Sequence, residues 1–195
     1  MKPSIAFAGT RTGEAGTTLL EIAFALPILL IGIGLYAQIM VTGSGMRTGG
    51  QEEWAASAEA QAVLEEIRGV AFRDLFVLYN EDPLDDPGGP GTAPGADFQC
   101  RDLRLSESDA DGAAGRVVLP VVNGGSAIAP VLELREDIVN PDLGLPRDLN
   151  GDFKVDSENH AGDYTMLPIQ IEVRWQSRRG ERVYRLNALL TELTE

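Results

Sequence analysis

The feature that most constrains this chain is a 20-residue apolar run from Ile22 to Val41, IAFALPILLIGIGLYAQIMV, in which Gln38 is the only strongly polar side chain. A helix rises about 1.5 Å per residue, so the run covers about 30 Å, the thickness of the hydrocarbon core of a bilayer. Cleavable secretory signals have shorter apolar regions, of about 7 to 15 residues, and a small-residue cleavage site. The run therefore predicts a membrane-spanning helix rather than a secretory signal.

The charges on either side of the run predict its orientation. Lys2 and Arg11 precede the run, and most of the acidic residues follow it. Positively charged flanks tend to remain on the cytoplasmic side of a membrane. We therefore expect a single-pass protein of the inner (cytoplasmic) membrane, with a cytoplasmic N-terminus and a head in the periplasm or outside the cell.

The overall charge excludes one class of partner. The net charge is −14 and the isoelectric point is about 4.4, so the phosphate backbone of a nucleic acid would be repelled. Cys100 is the only cysteine and His160 the only histidine, and neither lies in a sequence typical of a catalytic nucleophile or triad. We therefore do not expect an enzyme.

Glu21 is an unusual residue because it abuts the apolar run and follows Leu19 and Leu20. A charge placed within the hydrocarbon costs about 2.5 kcal/mol or more, so such residues usually have a partner and a function. Upstream, the segment GEAGTTLLE places Gly16 five residues before the carboxylate.

This segment resembles the class III prepilin signal of type IV pilins and pseudopilins. The resemblance implies that a prepilin peptidase cleaves after Gly16, so that Thr17 becomes the N-terminus and Glu21 the fifth mature residue. In that family the glutamate is thought to neutralise the N-terminal ammonium of a neighbouring subunit, which here pairs Glu21 with Thr17. Opposite charges attract strongly at low dielectric, and this pair would fix the axial register of a filament.

Other features distinguish subfamilies of that class. Mature family members commonly begin with Phe or Met, often N-methylated, whereas this chain offers Thr17. Pro27 lies six residues after Glu21, a spacing similar to that of TadE-type pseudopilins of tight-adherence systems. The later segment AEAQAVLEEIRGVAFRDL resembles minor pilins and type II secretion pseudopilins of the I/V kind. These features do not decide whether the chain serves a pilus, a secretion system or a tight-adherence system.

The rest of the chain predicts an α+β fold, with a long N-terminal helix packed on a C-terminal antiparallel β-sheet. Four glycines within Gly43–Gly50 predict a flexible or partly melted joint. An amphipathic half-helix then follows a three- and four-residue spacing of apolar residues, namely Ala60, Leu64, Ile67, Ala71, Leu75 and Leu78. The loop Asn80–Phe98, with four Pro and four Gly, ends it.

Alternation of apolar and polar residues predicts the strands. Ile169, Ile171, Val173 and Trp175 form one face of a strand, and Tyr184, Leu186, Ala188 and Leu190 form one face of the next. Ser177–Gly180 turns the chain between them into a hairpin. Weaker strands are expected at 101–105, 116–122 and 131–139. The predicted segments are a leader (1–16), a membrane and filament-core helix (17–42), a joint with the half-helix (43–79), a Pro/Gly-rich loop (80–98) and the β head (99–195).

The segment DLNGDFKVD predicts a structural calcium loop. Side-chain oxygens stand at its positions 1, 3, 5 and 9, and position 7 offers a backbone carbonyl, a spacing that wraps Ca²⁺. The predicted ligands are Asp148, Asn150, Asp152, Lys154 and Asp156. The loop is similar to EF-hand and dockerin-type loops, although Phe153 stands at position 6 in place of the usual Gly and Asn159 at position 12 in place of Glu.

Two functions are compatible with these features. The first is a subunit of a type IV pilus or a secretion pseudopilus, whose partners are the prepilin peptidase, other pilin or pseudopilin subunits and the membrane. The second is a membrane-anchored, acidic, calcium-binding module that does not polymerise. A third class, an enzyme, is disfavoured because the sequence shows no acid–base pair, nucleophile or transition-metal ligand set. For the apolar helix itself, the alternative is an uncleaved signal anchor in which Glu21 only marks the cytoplasmic end of the helix.

Overall fold

The computed structural model describes residues 19–106, 112–125 and 131–192. The chain is α+β, as predicted, with one long N-terminal helix and a C-terminal antiparallel sheet. It divides into two compact units with the boundary between Arg47 and Thr48. In chain order the elements are α1 (Leu19–Arg68), a 3₁₀ turn (Phe72–Asp74), α2 (Leu75–Tyr79), β1 (Asp97–Phe98), β2 (Gly115–Val118), β3 (Val121–Asn123), β4 (Leu132–Leu134), a 3₁₀ turn (Pro141–Leu143), β5 (Met166–Ser177) and β6 (Gly180–Thr191).

The N-terminal part of α1 is apolar and exposed. From Leu19 to Val41 its large apolar side chains are 49 to 87% exposed. Within it lies an 18-residue window that is apolar and long enough to cross a membrane, and none of that window is buried. The helix is therefore long and apolar enough to be the membrane span that the composition predicts.

The prediction that the helix is partly melted at Gly43–Gly50 is wrong, because α1 continues through all eight residues. Glycine costs a helix only about 1 kcal/mol per residue, and helix formation is cooperative, so long helical segments on both sides outweigh that cost. A Cβ added at Gly43, Gly49 or Gly50 would meet nothing within 4 Å. Contacts with the described part of the chain therefore do not require glycine at these three positions.

The C-terminal part of α1 buries the predicted stripe. Ala60, Leu64 and Ile67 are 0 to 7% exposed, together with Ala56 one turn earlier. The stripe ends sooner than predicted, because α1 stops at Arg68 and Gly69 follows it. The last predicted positions fall outside α1: Ala71 is exposed, whereas Leu75 is buried and Leu78 partly buried in the separate α2.

The predicted hairpin is confirmed. β5 and β6 pair antiparallel from Met166↔Thr191 to Ser177↔Gly180, and Gly180 has a positive φ of 117° at the turn, a conformation that suits glycine. The predicted inner face of β5, Ile169, Ile171, Val173 and Trp175, is 0 to 2% exposed. The four-stranded sheet has the order β1-β2-β5-β6.

The weaker strand predictions are only partly right. Residues 101–105 form no strand, although the N–H of Gln176 donates to the carbonyl of Arg104 at 2.9 Å. The predicted strand 116–122 is divided between β2 and β3 at Leu119 and Pro120, because proline has no N–H for a ladder. The predicted strand 131–139 is limited to β4, which pairs with β3 in a separate two-stranded sheet.

Three hydrogen bonds join the C-terminal part of α1 and the turn after it to the rest of the chain. The Trp175 Nε1 donates to Glu52 Oε2 at 3.3 Å, and the Ser57 hydroxyl donates to Tyr184 Oη at 3.2 Å. Farther along, the Tyr164 hydroxyl donates to the Phe72 carbonyl at 2.7 Å. These contacts link the C-terminal part of α1 and the turn after it to the hairpin and to the end of the acidic loop 148–163.

Candidate metal centre

The predicted calcium loop is held by its own acidic and amide side chains. The Asp148 carboxylate accepts from the N–H of Gly151 at 2.6 Å through Oδ1 and from the N–H of Phe153 at 2.7 Å through Oδ2. The next three predicted side-chain ligands each accept from the N–H two residues later, at 2.8 to 3.0 Å: Asn150 from Asp152, Asp152 from Lys154 and Asp156 from Glu158. The four predicted side-chain ligands therefore each accept a hydrogen bond from a backbone N–H a few residues later, and these bonds form local turns.

Phe153 adopts a conformation that is rare for its residue type. Its φ is +68° and it is 96% exposed. A bulky residue in the left-handed region is strained, and calcium loops of the EF-hand type use glycine at this sixth position for the sharp turn. The backbone therefore makes the left-handed turn of such a loop even though the side chain does not favour it.

Glu136, two residues after β4, is the buried centre of this region. The residue is 0% exposed. Its Oε1 accepts from the N–H of Leu149 at 2.6 Å and of Asn150 at 3.2 Å, and its Oε2 accepts from the N–H of Asp156 at 3.3 Å. One carboxylate thus anchors both ends of the predicted calcium loop, because backbone donors on each side converge on it.

His160 lies against the same carboxylate and is 4% exposed. Its Nε2 is 3.2 Å from Asp156 Oδ1 and 3.8 Å from Glu136 Oε1, and its Nδ1 is 3.2 Å from Asp163 Oδ1. Burial alone lowers the pKa of His160, but the hydrogen bonds with Asp156 and Asp163 outweigh it and raise that pKa above its ordinary value. The pKa of Asp156 is lowered, first by the N–H of Glu158 and then by His160.

Glu136, Asp156 and His160 form a group that could hold a metal ion, since one ligand atom from each lies within 4.8 Å of the others. Among the five predicted calcium ligands, only Asp156 belongs to this group. Sequence reasoning missed the other two residues. The spacing of His160 from Asp156 and Asp163 was a signal that could have been used, whereas nothing in the sequence marks Glu136 as buried.

The predicted processing and assembly residues lie at the other end of the chain. Gly16 and Thr17 are outside the described residues. Glu21 lies in the first turn of α1 and is exposed. A carboxylate in the first turn interacts favourably with the positive end of the helix dipole.

No family model, no curated protein and no solved structure matches this chain. The class of protein is therefore described from its fold and its candidate site alone. It is an α+β chain with a long helix that could span a membrane, an antiparallel sheet and a carboxylate–imidazole group.

Proposed function

We propose that this chain is a prepilin-like subunit that is cleaved after Gly16 by a prepilin peptidase and assembled into a type IV pilus or a type II secretion-like pseudopilus. The observation that supports it best is the contrast within α1. The apolar residues from Leu19 to Val41 are exposed, whereas Ala56, Ala60 and Ile67 are buried. One end of the helix thus has a partner in its own chain, and the apolar end requires lipid or other copies.

Assembly from a membrane would need specific contacts. A helix that leaves lipid for a filament exchanges one apolar environment for another, so hydrophobic transfer gives little net free energy. Packing and the attraction between Glu21 and the Thr17 ammonium of a neighbour would then supply the specificity, since opposite charges attract strongly at low dielectric. The exposed position of Glu21 in the first turn of α1 suits such a contact.

Two substitutions test processing and assembly separately. We expect Glu21→Ala to leave leader cleavage intact and to abolish incorporation into filaments, as measured by the protein recovered in sheared filament fractions. We expect Gly16→Val to block cleavage, whereas the matched leader variant Gly13→Val, which preserves the Gly16–Glu21 spacing, is cleaved. Normal incorporation of the Glu21→Ala protein would count heavily against the pairing.

The alternative function is a membrane-anchored, acidic binding module that does not polymerise. In this function the exposed apolar helix would anchor the protein in the membrane, and the loop from Asp148 to Asp156 would bind a cation. It predicts a protein that keeps its membrane location and never enters a shearable polymer, and it assigns no role to Glu21. Crosslinking between copies in native membranes distinguishes the two, because only a filament subunit gives ladders of regular multiples.

We also propose that the loop from Asp148 to Asp156 binds calcium and stiffens the head. The two N–H groups that converge on Asp148, together with the left-handed turn at Phe153, support this role. We expect millimolar calcium to raise the melting temperature of the full chain in detergent. Asp148→Ala should remove that rise, and Asp142→Ala, at an exposed acid outside the loop, should preserve it. A wild-type melting temperature that ignores calcium would eliminate the site.

A further inference from the structure

The group formed by Glu136, Asp156 and His160, in which Glu136 and His160 are buried and Asp156 is partly exposed, has the composition of a transition-metal site. It combines two carboxylates with one imidazole, whereas calcium is bound by oxygen ligands alone. Imidazole nitrogen with carboxylate oxygen suits zinc and related divalent ions. From this donor set and its geometry, we propose that the head binds one zinc-like divalent ion through His160 Nε2, Glu136 and Asp156, with the remaining position open to water.

Two of the three separations in the group are close to those that a tetrahedral ion requires, and all three lie within 4.8 Å. Ligand atoms about 2.0 to 2.1 Å from a tetrahedral zinc lie about 3.3 Å from one another. His160 Nε2 is 3.2 Å from Asp156 Oδ1 and 3.8 Å from Glu136 Oε1. Movements of less than an ångström would therefore bring these two pairs to ligand spacing.

The surroundings orient the imidazole as metal-binding histidines are oriented. Such a histidine usually donates its second ring N–H to a carboxylate or a carbonyl, which fixes the tautomer that leaves the first nitrogen free for the ion. His160 Nδ1 lies 3.2 Å from Asp163 Oδ1, and its backbone N–H donates to the Leu134 carbonyl at 2.9 Å. Nε2 is thereby directed at Glu136 and Asp156.

The carboxylates are held in the same way. Ligating carboxylates are themselves hydrogen-bonded in metal sites, and Glu136 accepts from three backbone N–H groups. Three carboxylates, Glu136, Asp156 and Asp163, surround one imidazole. A divalent cation would balance that excess of negative charge in a place where two of the side chains, Glu136 and His160, are almost fully buried.

This inference goes beyond the filament role and does not depend on it. It is also separable from the calcium loop, although Asp156 belongs to both ligand sets. Asp148→Ala should weaken calcium binding and leave zinc binding intact. His160→Gln should have the opposite effect.

The test is zinc binding to the full chain, purified in detergent and stripped with a chelator. We expect one equivalent of zinc to bind the wild-type protein in isothermal titration, and cobalt(II) to give the intense visible bands of a four-coordinate site. Asp163→Asn should weaken zinc about 10- to 100-fold, the usual effect of losing a partner that orients a ligand. His160→Gln should weaken it further and abolish the cobalt bands. Circular dichroism of each variant establishes that it is folded.

Two outcomes would overturn the site. One is a folded wild-type protein that takes up no zinc in micromolar titrations, which would make the group a structural imidazolium bridge between Asp156 and Asp163. The other is zinc uptake that is equal in the wild-type and His160→Gln proteins, which would place the ion elsewhere on the acidic surface. Both outcomes are read directly from the titration and leave the leader-cleavage and filament experiments unaffected.

Discussion

The Glu136 carboxylate accepts the N–H of Leu149 at 2.6 Å, and both residues are 0% exposed. This hydrogen bond joins the segment after β4 to the start of the acidic loop, thirteen residues later. The N–H groups of Asn150 and Asp156 converge on the same side chain. The conformation of the loop therefore depends on a residue outside it.

We predict that Glu136→Ala is strongly destabilising even when a chelator removes every metal ion. The substitution leaves the buried N–H of Leu149 and the partly buried N–H groups of Asn150 and Asp156 without their acceptor, and an unsatisfied buried group costs about 1 to 3 kcal/mol. The free energy of unfolding in urea should fall by roughly 3 kcal/mol or more. The control is Glu158→Ala, at an exposed acid in the same loop, which should change stability by less than about 0.5 kcal/mol. Equal effects of the two substitutions would show that Glu136 does not anchor the loop.

A second prediction concerns Glu172 on β5, which accepts from Arg185 Nε at 2.6 Å and from Arg174 Nε. Burial raises the pKa of Glu172, but the hydrogen bonds from the two arginines outweigh it and hold the pKa below its ordinary value of 4.5. A lowered pKa means that the charged carboxylate stabilises the fold above the unfolded pKa. That contribution is lost as the pH falls through the folded pKa.

Glu172→Gln should therefore lower the free energy of unfolding at pH 7 by about 1 to 3 kcal/mol. The difference from the wild-type protein should shrink as the pH is lowered from about 4.5, and urea melts across that range measure it. Glu66→Gln, at an exposed position on α1, is the control. A difference that grows with acidification would reverse the sign of the proposed linkage.

The glycines of α1 give a third prediction. Gly50 is helical, and a Cβ added there would meet nothing within 4 Å. Gly50→Ala should therefore stabilise the helix by about 1 kcal/mol, seen as a higher melting temperature by circular dichroism in detergent. Gly180→Ala is the opposite control, because its φ of 117° suits glycine alone. A destabilised Gly50→Ala protein would indicate that the glycine is needed where it stands.

The elements that could be predicted from sequence are those with a strong local pattern. The alternation around Ile171 and the turn before Gly180 give the β5–β6 hairpin, and the spacing from Ala60 to Ile67 gives the buried stripe of α1. The glycine content of Gly43–Gly50 predicted a joint, but helix formation is cooperative and all eight residues remain helical. The candidate site was only partly predictable. Asp156 belongs to a recognisable calcium-loop motif. Glu136 contacts that motif only in the folded chain, and no spacing in the sequence indicates this contact.

The most direct measurement is the N-terminal sequence and intact mass of the protein extracted from the membranes of its native host. The proposed prepilin-like processing predicts a chain that begins at Thr17 and lacks the mass of residues 1–16. A protein that begins at Met1, or that keeps the leader in its mature form, would contradict processing at Gly16. The pairing of Glu21 with a newly exposed amine would then have no basis.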